Sequence, residues 1–249
     1  MHQSEIRKYA KDICRKAGSA LHAFIKKGDQ EKLHRFRTHV KKLRAIARLD
    51  ELAAPHLYQS LRPLKKTYRL SGTIRERYLH LELGKAVAAR PGFLTTQQQE
   101  MELAIARLRH QKNRHDRRLH RAQKQLIKGL RPVKGQSLSI FYEKELHNLA
   151  QQLHLSESDD GLHDCRKRLK ILLYNLPFVR HALTLPVNET YLDKVQTAIG
   201  DWHDNLLAEL SFPGLQRKTK HLRKIVKSLT SNFYEQVTTP TDLPLLQID

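Results

Sequence analysis

Side chains suited to gripping anions recur at helical spacing in this chain, beginning at His34. At about 100° per residue, Arg37, Lys41, Arg44 and Arg48 share an arc of about 80° with His34, while Phe36, Val40, Leu43 and Ala47 take the opposite side. A second column starts at His163, with Arg166, Lys167 and Lys170 on one arc and Leu162, Leu169, Leu172 and Leu176 across from it. Two further basic runs are expected along single helices: Arg107, His110, Arg114, Arg117, Arg121 and Lys128, and then Arg217, Lys220, His221, Lys224 and Lys227. Solvated helix faces usually mix acids with bases. These arcs hold almost no acids, so like charges one turn apart repel by ~0.2–0.5 kcal/mol per pair, and a bound anion would relieve that repulsion.

The chemistry offered is phosphate recognition. Arginine presents a planar fork to phosphate oxygens, lysine a point charge and imidazole an N–H donor. Charge-assisted contacts of about 1.5–3 kcal/mol each, partly cancelled by desolvation, make several of them sufficient for tight binding. The histidines otherwise suggest metal or acid–base chemistry. His34 with His39, or His110 with His115 and His120, lack nearby carboxylates to complete a coordination sphere. His203 and Asp204 are adjacent, and adjacent helical side chains point about 100° apart, so a packing role is expected in place of a His–Asp relay. Hydrolysis of a phosphate chain would need a metal held by clustered carboxylates, and no Glu-x-Glu strand pattern is present.

The whole composition agrees with an anionic partner. In 249 residues, 46 Lys and Arg face 25 Asp and Glu, a formal charge of +21 with the 15 histidines neutral. Nucleic acid, an anionic membrane surface or a phosphate polymer balances such a charge. A hydrophobic fraction of 39% is low but fills a core when correctly spaced. The two cysteines, Cys14 and Cys165, form no CxxC motif, which argues against a disulfide scaffold or structural zinc. MHQSEIRKYAKDIC lacks an apolar signal core, and no apolar run reaches the ~18 residues of a membrane span; a cytoplasmic protein without membrane insertion is expected.

The elements that must carry these residues are helices. Glycines and prolines cluster as punctuation, and between them apolar residues recur at three and four, as in Ile6, Tyr9, Ile13, Ala17, Ala20, Leu21 and Phe24. Helices are predicted at 3–27, 30–53, 56–89, 94–129, 137–154, 159–181, 188–211 and 213–236, with Thr95 (followed by Gln98) and Asn188 as N-caps. The predicted organisation is a first four-helix half at 1–130, a linker at 131–136, a second four-helix half at 137–237 and a non-helical tail at 238–249. LHRFRTHVKKLRA at 33–45 aligns with LHDCRKRLKILLY at 162–174, and Gly72 with Arg75-Glu76 aligns with Gly200 and His203-Asp204, at offsets of 129 and 128 residues. That agreement predicts an all-α fold of two four-helix bundles related by an internal pseudo-twofold repeat.

LHxxRxxxKKLR, carried here by His34, Arg37, Lys41, Lys42 and Arg44 and echoed by His163, Arg166 and Lys170, resembles the CHAD domains, named for conserved histidines in an α-helical domain. Leu192, Gln196, Gly200, His203 and Asp204 are similar to the later family signature, a leucine-rich helix ending in Gly-x-x-His-Asp. The resemblance spans roughly residues 3–236. It implies two antiparallel four-helix bundles and a basic surface that binds inorganic polyphosphate. The second half departs from the pattern: Ile171 and Leu173 stand where the first half has Lys42 and Arg44, with Lys167 and Arg168 as candidates to compensate.

The leading expectation is non-enzymatic polyphosphate binding without a cofactor, with targeting to polyphosphate granules. The alternative is a basic helical protein that binds RNA or DNA. Single-stranded nucleic-acid binders interleave aromatic residues with cations to stack bases, and no aromatics are expected at matching angles along these columns. Because each column lies opposite an apolar face, neutralising Arg37, Lys41 and Arg44 is expected to leave the melting temperature level or raise it.

Overall fold

The computed structural model describes residues 3–50, 52, 56–155, 158–212 and 216–240, and these form helices joined by turns and short irregular segments, with no strand. The chain forms two compact units, one ending at Val133 and the other beginning at Lys134.

In the first unit α1 (Gln3–Lys27) and α2 (Gln30–Asp50) form a hairpin. Gly28 makes the reversal possible: its φ of 74° lies in the left-handed region, and its N–H reaches Phe24 O at 2.7 Å to close the end of α1. Asp29 then accepts from Glu31 N at 2.9 Å and starts α2. The facing sides carry Ile6, Ile13, Leu21 and Phe24 against Leu33, Phe36, Val40 and Leu43, all buried. Burying each large apolar side chain stabilises the fold by roughly 1.5–3 kcal/mol. A 3-10 helix (Leu57–Leu64), α3 (Lys65–Ala86), α4 (Pro91–His110) and α5 (Lys112–Gly129) complete the unit.

Two predicted helices are interrupted here. The helix expected at 56–89 begins as a 3-10 turn, because Pro63 has no N–H and its ring opposes the carbonyl one α-turn back. The helix expected at 94–129 starts earlier, with Pro91 at its first position, where a missing N–H costs nothing. Thr95 is therefore no cap; its hydroxyl donates to Pro91 O at 3.1 Å. The same predicted helix breaks at Gln111, and the break turns His115 inward, 1% exposed, with Nδ1 2.8 Å from Thr67 Oγ1.

The second unit contains α6 (Gly135–Leu155), α7 (Asp159–Val179), a short 3-10 helix (Arg180–Ala182), α8 (Glu189–Ser211), α9 (Gln216–Thr230) and α10 (Phe233–Thr238). Asn188 caps α8, accepting from Tyr191 N at 2.9 Å. The helix predicted at 213–236 divides after Thr230, whose hydroxyl bonds back to Val226 O at 3.0 Å, a pattern that bends helices. Leu146, Leu169, Leu172, Val195, Ile199, Trp202 and Phe233 fill the core, and Tyr142 joins them with its hydroxyl donating to Leu172 O at 2.9 Å. Cys14 and Cys165 are buried free thiols, and burial pushes Cys14 up to about 12. The tail expected at 238–249 lies, from residue 241 onward, outside the described residues.

The segment expected to be a linker is non-helical over 130–134 and is pinned to the first unit. Leu130 and Val133 are buried, and Arg131 N donates to both carboxylate oxygens of Asp50 at 3.3 and 3.2 Å. Asp50 is fully buried, and burial pushes its carboxyl up to about 6, against the opposing pull of Arg131. The folded state therefore holds this proton more tightly than the unfolded state, whose carboxyl titrates near 4. Stability contributed at Asp50 is lost as pH rises from about 4 to about 6, on the order of 3 kcal/mol. Urea unfolding at pH 5 and pH 7 should show a smaller pH difference for Asp50→Asn than for wild type; identical differences would contradict this reading.

Candidate functional site

The apolar side of α2 is buried in the first unit's core, which turns its basic side toward α3. His34 and Arg48 are exposed, whereas Arg37, Lys41, Lys42 and Arg44 are half-buried. Arg37 Nη1 donates to Tyr68 O at 2.9 Å and to Ser71 Oγ at 3.3 Å. Its guanidinium carbon lies 4.5 Å from the centroid of the Tyr68 ring, and that of Arg44 lies 4.0 Å from the same centroid. Arg48 sits 4.9 Å over Tyr58 in the 3-10 helix. Cations over aromatic faces gain ~0.5–2 kcal/mol each, so these arginines are held in place without being neutralised.

Gly72 completes the seat of Arg37. A Cβ there would lie 2.9 Å from Arg37 Nη1, so a side chain at this position would push the guanidinium away. Tyr68, Ser71, Gly72 and Arg75 share one face of α3 by their three- and four-residue spacing. Burial pushes Arg37 below the usual guanidine range; Tyr68 opposes that effect, while the positive charges of Arg44 and Arg75 add to it. Lys42 departs from the column and acts on His39 at the other side of α2.

In the second unit α7 buries Leu162, Cys165, Leu169, Leu172 and Leu176, leaving His163, Arg166 and Lys170 half-buried and Lys167 exposed. Arg166 Nε donates to Gln196 O at 3.3 Å, and a Cβ at Gly200 would lie 2.5 Å from Arg166 Nη2. Burial, aided by Arg166, lowers the Lys170 ammonium, with Asp204 and Asp193 opposing. The His163 and His203 rings lie 4.3 Å apart between centroids, and the Nδ1 of each is buried with no hydrogen-bond partner. Burial holds His163 below the ordinary imidazole value, followed by the charges of His203, Lys167 and Arg166, with Asp164 opposing. Trp202 is core, and Arg223 stacks 4.8 Å over its ring.

Arg168 does not compensate for Ile171 and Leu173. It pairs with Glu145 at 2.9 Å and donates to Gln152 at 2.5 Å, both on α6, while Lys167 pairs with Asp164 at 2.7 Å. Arg114, Arg117 and Arg121 are exposed on α5, and the break at Gln111 separates them from Arg107 and His110 on α4. Arg217, Lys220 and Lys224 are exposed on α9. Among the described residues no hydrogen bond, ion pair or ring contact joins the three on α5 to α2, or the three on α9 to α7.

Sequence reasoning missed Tyr68, Ser71 and Tyr58: no aromatic lies at matching angles along the columns themselves, yet two tyrosine rings reach the first column from neighbouring elements. The rings come from neighbouring elements, so counting angles along α2 alone could not find them. The available signal was Tyr68 one helical turn before Gly72.

Among the described residues no cluster of three or more His, Cys, Asp or Glu side chains could hold a metal ion, and no helix is long and apolar enough to cross a membrane. Fold and site together define an all-α protein with arginines seated over glycines of the following helix. Residues 10–211 match the family model of the CHAD domain, and the chain belongs to the CHAD domain family. The match ends at the last residue of α8, so the basic residues of α9 lie beyond it. No curated protein matches the chain.

Proposed function

We propose that the protein binds inorganic polyphosphate non-enzymatically through the basic faces of α2 and α7, and that this binding directs it to polyphosphate granules. The observation that carries the reading is the preset arginine. Arg37 and Arg166 are each bonded to a main-chain carbonyl of the next helix, that of Tyr68 or Gln196, four residues before the glycine each covers. Holding a guanidinium in place before the ligand arrives reduces the entropy lost on binding. A phosphate polymer repeats one charge pattern and needs no base readout, which suits rows of identical donors. Tyr68 faces the column, but its ring is already engaged by Arg37 and Arg44, an arrangement that disfavours base stacking.

The same correspondence supports duplication of one four-helix ancestor into two halves. The pairs Arg37–Gly72 and Arg166–Gly200 occupy matching sequence positions, and the carbonyls of Tyr68 and Gln196 play matching roles.

The deciding experiment is competition. Long-chain polyphosphate should outcompete RNA and duplex DNA of equal total charge by at least tenfold in ~150 mM salt. RNA binding of equal or greater strength would overturn the proposal in favour of a nucleic-acid protein.

The glycine seats make a second expectation. Gly200→Ala should lower polyphosphate affinity by about three- to tenfold by displacing Arg166, about 0.7–1.4 kcal/mol. Its melting temperature should hold or rise, since only the flexible end of Arg166 must move and alanine favours a helix by ~0.5–1 kcal/mol over glycine. Titration calorimetry paired with thermal melts checks both; unchanged affinity would mean the seat of Arg166 does not matter for binding.

A further inference from the structure

On the other side of α2, small residues of α1 leave a cleft of about 430 Å³ between the two helices. Ser19, Ala20 and Ala23 leave the space, and four cations surround it: Arg15 and Lys16 from α1, Lys32 and Arg35 from α2. Among the described residues two acids engage these cations, and neither lines the cleft. Asp12 pairs with Arg15 at 2.5 Å and Lys16 at 2.6 Å, and Glu31 pairs with Arg35 at 2.9 Å. The Lys32 ammonium has no partner among the described residues. His39 also lines the cleft, and its Nδ1 is buried with no hydrogen-bond partner.

The geometry points to a second anion site in this α1–α2 cleft, with donors suited to a compact inorganic phosphate anion such as pyrophosphate. Donors converge from two helices, Ser19 adds a hydroxyl, and among the described residues no Phe, Tyr or Trp lines the walls to hold a base. Those features favour two linked phosphoryl groups over a nucleotide. Burial keeps His39 below the ordinary imidazole value, reinforced by Lys42, Lys16 and Arg35 and opposed by Asp12. The inference is independent of the polyphosphate reading, which uses the opposite face of α2.

The test follows the His39 imidazole resonances by NMR while pyrophosphate is added in ~150 mM salt. Saturable shifts are expected in wild type and in the Arg37→Ala/Lys41→Ala/Arg44→Ala variant. In Lys32→Ala/Arg35→Ala the apparent affinity should fall at least tenfold; both side chains lie outside the buried core, and helical content verifies the fold. His39 resonances that stay fixed in wild type, a measurement that needs no variant, overturn the inference. So does an unchanged affinity in Lys32→Ala/Arg35→Ala. ADP binding ten times tighter than pyrophosphate would overturn the inorganic assignment. Failure of the polyphosphate reading would appear instead as long-chain polyphosphate affinity indifferent to the Arg37, Lys41 and Arg44 substitutions, with the His39 response intact.

Discussion

Replacing Arg37, Lys41 and Arg44 together by alanine is expected to weaken polyphosphate binding at least tenfold. A tenfold loss is only about 1.4 kcal/mol, whereas three charge-assisted contacts to phosphate would supply about 1.5–3 kcal/mol each before desolvation is subtracted. Even heavy cancellation leaves the expected loss above that threshold. The structure changes the expected effect on stability, because Arg37 is a structural partner as well as a binding group. Its removal takes a donor from Tyr68 O and Ser71 Oγ and opens space above Gly72. Ser71 Oγ still donates to Tyr68 O at 2.8 Å, so the carbonyl is not orphaned. Arg37→Ala should therefore cost about 1 kcal/mol, a fall in melting temperature of roughly 2–4 °C for a chain of this size. Lys41→Ala should weaken binding as well. The second column should matter less: Arg166→Ala with Lys170→Ala is expected to cost less affinity than Arg37→Ala with Lys41→Ala, because Ile171 and Leu173 add no charge and Arg168 is committed to Glu145. Fluorescence titrations alongside thermal melts separate these outcomes; equal losses from the two pairs would contradict the asymmetry.

Polyphosphate affinity should also rise as pH falls from about 8 towards 6, with His163 responsible for part of the slope. In the free protein burial and the nearby charges of His203, Lys167 and Arg166 favour the neutral ring, against the smaller pull of Asp164. A bound polyanion reverses that balance and raises the His163 value above its free one. Binding then takes up a proton between the two values, so affinity grows as pH falls through the upper one and levels off below the lower one. Each proton taken up contributes at most about tenfold per pH unit. His163→Gln keeps a polar side chain but cannot charge, so its binding curve should be visibly flatter across this range at constant ionic strength. An unchanged slope would assign His163 to packing against His203 alone.

Helices, their apolar faces and the basic side of α2 were legible because each depends on residues three or four apart in one segment. Gly28 and Asn188 act as their residue types predict, since a left-handed reversal and a side-chain cap are local chemistry. The breaks at Pro63 and Gln111 were harder. Periodicity continues through both; Pro63 acts locally through its missing N–H, whereas at Gln111 only packing decides whether the helix bends to bury His115 against Thr67. What the sequence by itself determined is the charge, the all-helical character, the family and the positions of Arg37 and Arg166 opposite their apolar faces. Only the tertiary structure decided that these arginines are held by the carbonyls of Tyr68 and Gln196, that tyrosines lie against the first column and that Arg168 is spent on α6. Those facts depend on which helices become neighbours and at what rotation, a choice made by many weak packing contacts summed over the whole core.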